Sequence, residues 1–89
     1  MEGHILYIDG NYISPRESQK VYNHSPDGFS FGYGGSGPAQ AALAILMEFT
    51  KTNIAQSLYQ YFKWEYVAKW KEPDMEVEID VLAWIKEQV

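Results

Sequence analysis

GFSFGYGGSGPAQAALAILMEF, residues Gly28 to Phe49, is the stretch on which the fold of this chain turns. Five of the seven glycines lie between Gly28 and Gly37, and the run ends at Pro38. A loop so rich in glycine adopts backbone angles closed to other residues and lets other groups approach the main chain closely. Proline suits the first turn of a helix. The sequence therefore predicts a helix from Pro38 to about Thr50, with Ser36 or Gly37 as its cap. Around its circumference only Gln40 and Glu48 interrupt an alanine, leucine, isoleucine, methionine and phenylalanine surface. A helix apolar nearly all round is a buried one, so this is expected to be the central helix.

Upstream, Ile5-Leu6-Tyr7-Ile8 and Tyr12-Ile13 flank Asp9-Gly10-Asn11. Asp-Gly between β-prone runs signals a tight hairpin, with strands near His4–Asp9 and Asn11–Ser14. Pro15 ends the second strand because it cannot donate to a ladder. A further short strand is expected at Lys20–Asn23, followed by a turn at Ser25-Pro26-Asp27-Gly28.

Downstream, Asn53 and Gln56 form an Asn variant of the capping box for a second helix that stops near Lys71, before Glu72-Pro73. Its apolar face leaves Tyr59, Trp64, Tyr66 and Trp70 to one side, so it is wrapped on several sides or presents an aromatic surface. Met75, Val77 and Ile79 alternate with acids as in a short strand, and helical spacing resumes from about Ile79 to Gln88. The fold class is α+β: one domain over residues 1–89, with an N-terminal antiparallel sheet of two or three strands packed on about three helices.

Composition narrows the function. A chain of 89 residues buries roughly 60–65% of the surface its unfolded form exposes. No cysteine is present, which removes disulfides, thiolate metal ligands and thiol nucleophiles. Two histidines alone do not make a dedicated zinc site; no metal and no cofactor are expected. The formal net charge is −5, and Glu72, Asp74, Glu76, Glu78 and Asp80 crowd together. No basic patch stands ready to neutralise phosphates, so no direct nucleic-acid binding is expected. A basic protein partner, or no charged partner at all, fits the charge better, and mimicry of a phosphate backbone by the acidic window is a narrower reading. The N-terminus lacks a signal-peptide pattern, and Ala41 to Met47 falls far short of a membrane helix. A cytoplasmic protein is the expectation.

Three constellations could carry chemistry. In the first, the glycine loop delivers the open N–H groups of a helix start, which favour an anion. It lacks the Lys-Ser/Thr ending of a phosphate loop, and no βαβ unit surrounds Gly32-Tyr33-Gly34-Gly35-Ser36-Gly37 to make it a dinucleotide fingerprint. Its simpler reading is a tight reversal against the rings of Phe29, Phe31 and Tyr33. In the second, His24, Ser25 and Asp27 place a histidine, a hydroxyl and a carboxylate in succession, but triads assemble in space, and these are ordinary turn residues. In the third, Phe62-Lys63-Trp64-Glu65-Tyr66 gathers aromatics around an opposite-charge pair, either as core or as interface anchors.

The block Asn23 to Leu46, NHSPDGFSFGYGGSGPAQAALAIL, resembles the signature of a small family of uncharacterised proteins from bacteria, archaea and their viruses. Its pattern is NHSPxGFxWGYGGSGPAQ followed by a Leu/Ala-rich helix. The resemblance continues through Phe62 to Glu65 and Ile79 to Trp84, about two thirds of the chain. Phe31 stands where Trp is common, which removes an indole N–H donor. The resemblance implies that the loop-helix block defines the family and that phage or mobile-element biology is its setting; it brings no activity with it.

Two functional expectations follow, and a third is weaker. The first is a non-enzymatic protein-interaction module; an edge strand free to pair across a two-fold axis adds a homodimer. The alternative is a small-ligand or anion-binding domain whose candidate residues are His24, Tyr33, Gly34, Gly35, Ser36, Gly37 and Gln40. A hydrolase or transferase around His24 would need a concave pocket joining it to a nucleophile or metal. No catalytic residue is assigned.

Overall fold

The Asp9-Gly10 turn takes positive φ at both central residues, 51° and 80°, the combination that matches the twist of a two-residue hairpin. It joins β1 (Leu6–Ile8) to β2 (Asn11–Ile13). The antiparallel register pairs Leu6 with Ile13, Tyr7 with Tyr12 and Ile8 with Asn11. Leu6 and Ile13 turn into the core while Tyr7 and Tyr12 stay exposed as an edge-to-face pair, as strand alternation demands. The computed structural model describes residues 5–26, 28–70 and 77–88. Within them, the hairpin is followed by four α-helices, and α2 and α3 pack together.

The expected strand at Lys20–Asn23 is not there. Pro15 does end the hairpin, but it does so by opening a helix, α1 (Pro15–Val21). Ser14 is its N-cap: the Ser14 hydroxyl accepts the Arg16 N–H at 3.2 Å, and proline occupies the first helical turn. Ser14-x-x-Glu17 is itself a capping-box pattern. The acid in the first turn and Lys20 in the last complement the helix dipole. Local capping chemistry thus outweighs the β-propensity of Val21 and Tyr22.

α2 (Ser36–Met47) is the central helix, buried without interruption from Gly37 to Leu46. It starts before Pro38 because Gly35, in extended conformation, is the cap residue in place of Ser36 or Gly37. It closes before Thr50 by tightening: Glu48 N–H bonds Ile45 O and Phe49 N–H bonds Leu46 O, three-residue spacings typical of a helix end. Ala41, Ala42 and Ala44 are almost fully buried and let neighbouring elements approach the helix axis. Phe29, Leu43, Leu46, Phe62 and Val67 fill the space around them. Burying each such Leu, Val or Phe contributes about 1.5–3 kcal/mol.

α3 (Thr52–Glu65) begins one residue before Asn53, with Lys51 at the cap position and no side-chain capping bond, so the Asn53 box does not form. It ends at Glu65 and not near Lys71. A 3₁₀ turn, Val67–Lys69, follows, and the Val67 carbonyl accepts the N–H of Gly32 from the glycine loop. α4 (Val81–Gln88) starts after Asp80, whose carboxylate accepts the Ala83 N–H at 3.0 Å. That cap, and not Ile79, sets its beginning. Met75 lies outside the described residues, and Val77 and Ile79 form no strand. No helix among the described residues is long and apolar enough to cross a membrane.

Candidate functional site

The turn before the loop closes as expected, Gly28 N–H donating to Ser25 O at 3.2 Å. Beyond it, close approach governs the glycine loop. A β-carbon on Gly34 would overlap the six-membered ring of Trp64, and one on Gly37 would overlap the Ser30 side chain. The absence of side chains at these positions lets α3 and the loop pack directly onto the start of α2. Tyr33 lays its ring over Gly35 while its hydroxyl meets Ser30 Oγ at 2.8 Å, leaving the residue half-exposed. Ser36 is exposed at the helix start. Pro38 carries no N–H and Ala39 donates to Gly35 O, so the leftover donors of the α2 start are those of Gly35, Ser36 and Gly37.

Gln40 lies one turn into α2 and is fully buried. Its Oε1 accepts the backbone N–H of His24 at 2.7 Å and of Ser25 at 3.0 Å. Its Nε2 donates to Ser18 Oγ at 2.8 Å and to Tyr22 O at 3.1 Å. The two backbone donors fix which end of the amide is oxygen. All four hydrogen-bonding positions of the side chain are used, so Gln40 ties the end of α1 and the following loop to the central helix.

That tie positions His24. Its ring stacks on Tyr22 with centroids 4.1 Å apart and leans on Tyr59 of α3 at 5.0 Å. Its Nε2 is buried and meets no hydrogen-bond partner among the described residues. Burial, and secondarily the positive charge of Lys63, hold its pKa below the ordinary 6.5. The ring is therefore neutral near pH 7. No hydroxyl or carboxylate among the described residues meets Nε2, so the His24-Ser25 succession makes no catalytic pair there.

Lys63 is the residue that sequence reasoning misread. The opposite-charge pair expected with Glu65 does not form, since residues two apart on a helix do not face each other. Glu65 Oε2 instead accepts the indole N–H of Trp84 at 2.7 Å. Lys63 is only 6% exposed. Its Nζ donates to Gly34 O at 3.1 Å and lies 4.4 Å from the centroid of the Trp64 ring. Among the described residues no carboxylate comes within ion-pair reach of it. A signal was present: Lys63 falls four residues after Tyr59 and directly after Phe62, on the side of α3 that carries Ala55 and Leu58 inward.

Hairpin, central alanine-rich helix and glycine loop define a small α+β domain whose residue clusters gather at the start of α2. The chain belongs to the family described as "Family of unknown function (DUF6166)", whose model matches residues 1–87. No curated protein and no solved structure matches it.

Proposed function

We propose that this protein is a non-enzymatic protein-interaction module that contacts its partner through the aromatic face beside the glycine loop. The observation that carries the reading is Trp64. The residue is 58% exposed, yet its ring packs on the bare Cα of Gly34 and beside the Lys63 ammonium. A large ring that is exposed and already immobilised loses little entropy on binding, and Trp and Tyr are the residues most enriched among interface anchors. Tyr61, 64% exposed, sits one turn earlier on the same helix, and Tyr33 adds a half-exposed ring from the loop. The negative net charge favours a basic partner. The phage or mobile-element setting implied by the resemblance belongs to this proposal.

The test compares wild type with Trp64→Ala as baits in native lysate, after circular dichroism has established that both are folded. A protein retained by wild type and reduced at least about tenfold on the variant is the expected result, since anchor residues contribute about 2 kcal/mol or more. Identical recoveries on both baits, or none above background on either, end the reading.

A further inference from the structure

We propose that Lys63 Nζ and His24 Nε2 together form a binding site for a carboxylate group at the start of α2. The inference does not depend on the aromatic face. It carries the anion-binding reading of the loop onto residues other than Gln40, whose amide has no capacity left.

The first observation is an uncompensated charge. Lys63 as a residue is more than nine-tenths buried, and its ammonium, part-buried where it meets Gly34 O, is costly to leave unpaired. Of its three N–H donors, one reaches Gly34 O. A carbonyl and an indole face supply partial negative charge only, and no described carboxylate pairs with it. The second observation is independent: a buried imidazole nitrogen without a partner, in a molecule whose other buried side-chain polar atoms are satisfied among the described residues.

The fold brings the two groups to one place. Tyr59, against which the His24 ring packs, lies one α3 turn before Lys63, and residues four apart on a helix are neighbours. From the other side, Gln40 anchors the His24 N–H one helical turn after Ser36, while Lys63 holds the carbonyl of Gly34 just before it. The positive end of the α2 dipole points at the same corner, where a lysine alone is repelled and an anion is held.

The ligand class follows from the donors. With His24 assigned the Nε2–H tautomer, one full positive charge and one neutral N–H match a monoanion with two oxygens, one accepting from Lys63 and the other from His24 Nε2–H. A phosphate dianion calls for a second cation, and among the described residues the rings that face His24 are those of Tyr22 and Tyr59, with Lys63 the positive charge that acts on it.

Nuclear magnetic resonance of the whole chain tests this by following the His24 ring and the Gly34 amide during titration with sodium acetate, sodium phosphate and sodium chloride at matched ionic strength. Acetate is expected to give saturable shifts and to raise the His24 pKa by on the order of one unit, since a nearby anion favours the imidazolium. A capped glutamate peptide amide then tells a side-chain carboxylate of a partner from a free acid: tighter binding than acetate assigns the former, equal binding the latter. In Lys63→Met the acetate response is expected to vanish; the wild-type titration stands by itself if that variant does not fold. The proposal is overturned if acetate acts no differently from chloride, if only phosphate saturates, or if a folded Lys63→Met responds as wild type does.

Discussion

The side-chain oxygen of Gln40 accepts the backbone N–H of His24 at 2.7 Å, across sixteen residues of chain. It accepts that of Ser25 as well, while the amide nitrogen serves Ser18 and Tyr22. A single buried amide thereby replaces the secondary structure that the segment from Tyr22 to Ser25 lacks, and settles where His24 stands.

Replacing it by a residue of similar volume isolates the polar contribution. Gln40→Met leaves the N–H groups of His24 and Ser25 without their acceptor, at about 1–3 kcal/mol for each buried group. We expect a loss of about 2–5 kcal/mol in urea denaturation, with the His24 ring signals broadened or shifted. A loss below about 0.5 kcal/mol, within the range of an ordinary surface substitution, would show that water serves these groups equally well.

Gly34 and Trp64 form a second coupled pair. Gly34→Ala is expected to destabilise by about 1–3 kcal/mol through overpacking, because the new methyl group overlaps the Trp64 ring. In the Trp64→Ala background the same substitution should cost far less. A double-mutant cycle measures the difference, and additive effects would mean that the clash is not the cause.

Stability should depend on pH through His24. Its folded pKa is lowered, first by burial and then by Lys63, so the unfolded state binds the proton more readily. The neutral ring therefore contributes stability that is fully present above pH 6.5, the ordinary value. That contribution is lost as pH falls through the lowered folded pKa. Comparing melting temperatures of wild type and His24→Gln between pH 7.5 and pH 5 isolates this component from the carboxylates, which titrate in both. The wild-type curve should fall more steeply below about pH 6.5; parallel curves would contradict the assignment.

At the other end of the chain, Ser14→Ala removes the hydroxyl that caps α1. A loss of about 1 kcal/mol in thermal or urea denaturation is expected, and Ser14→Asp should restore it. No loss would mean that Pro15 and tertiary packing alone hold the helix.

Legibility in the residues tracks how local the physics is. Asp9-Gly10 announced its hairpin because positive φ at both positions is a property of the dipeptide and its flanks. The apolar run after Pro38 announced a buried central helix because apolar side chains on nearly every side leave no other place for it. α1 was legible too, in Ser14-Pro15-Arg16-Glu17, but strand propensity a few residues on masked a cap that acts more strongly. The Asn53 box showed the reverse, a local pattern that the turn after α2 left unused by starting α3 at Thr52.

The candidate residues divide along the same line. Glycine richness marked the loop as a place of close approach, while the positions concerned, Gly34 and Gly37, and the groups that approach them, Trp64 and Ser30, were supplied by the tertiary fold. The sequence by itself determined an α+β domain built around one greasy helix, because hydrophobic burial and turn geometry are written in neighbouring residues. Only the tertiary structure decided that Gln40 is a buried tie, that the His24 pKa is lowered, and that Lys63 is a covered charge. His24 is packed against Tyr59 of α3 as well as its near neighbour Tyr22, and the hydrogen bonds of Gln40 to His24 and of Lys63 to Gly34 span 16 and 29 positions of chain. No local pattern encodes either.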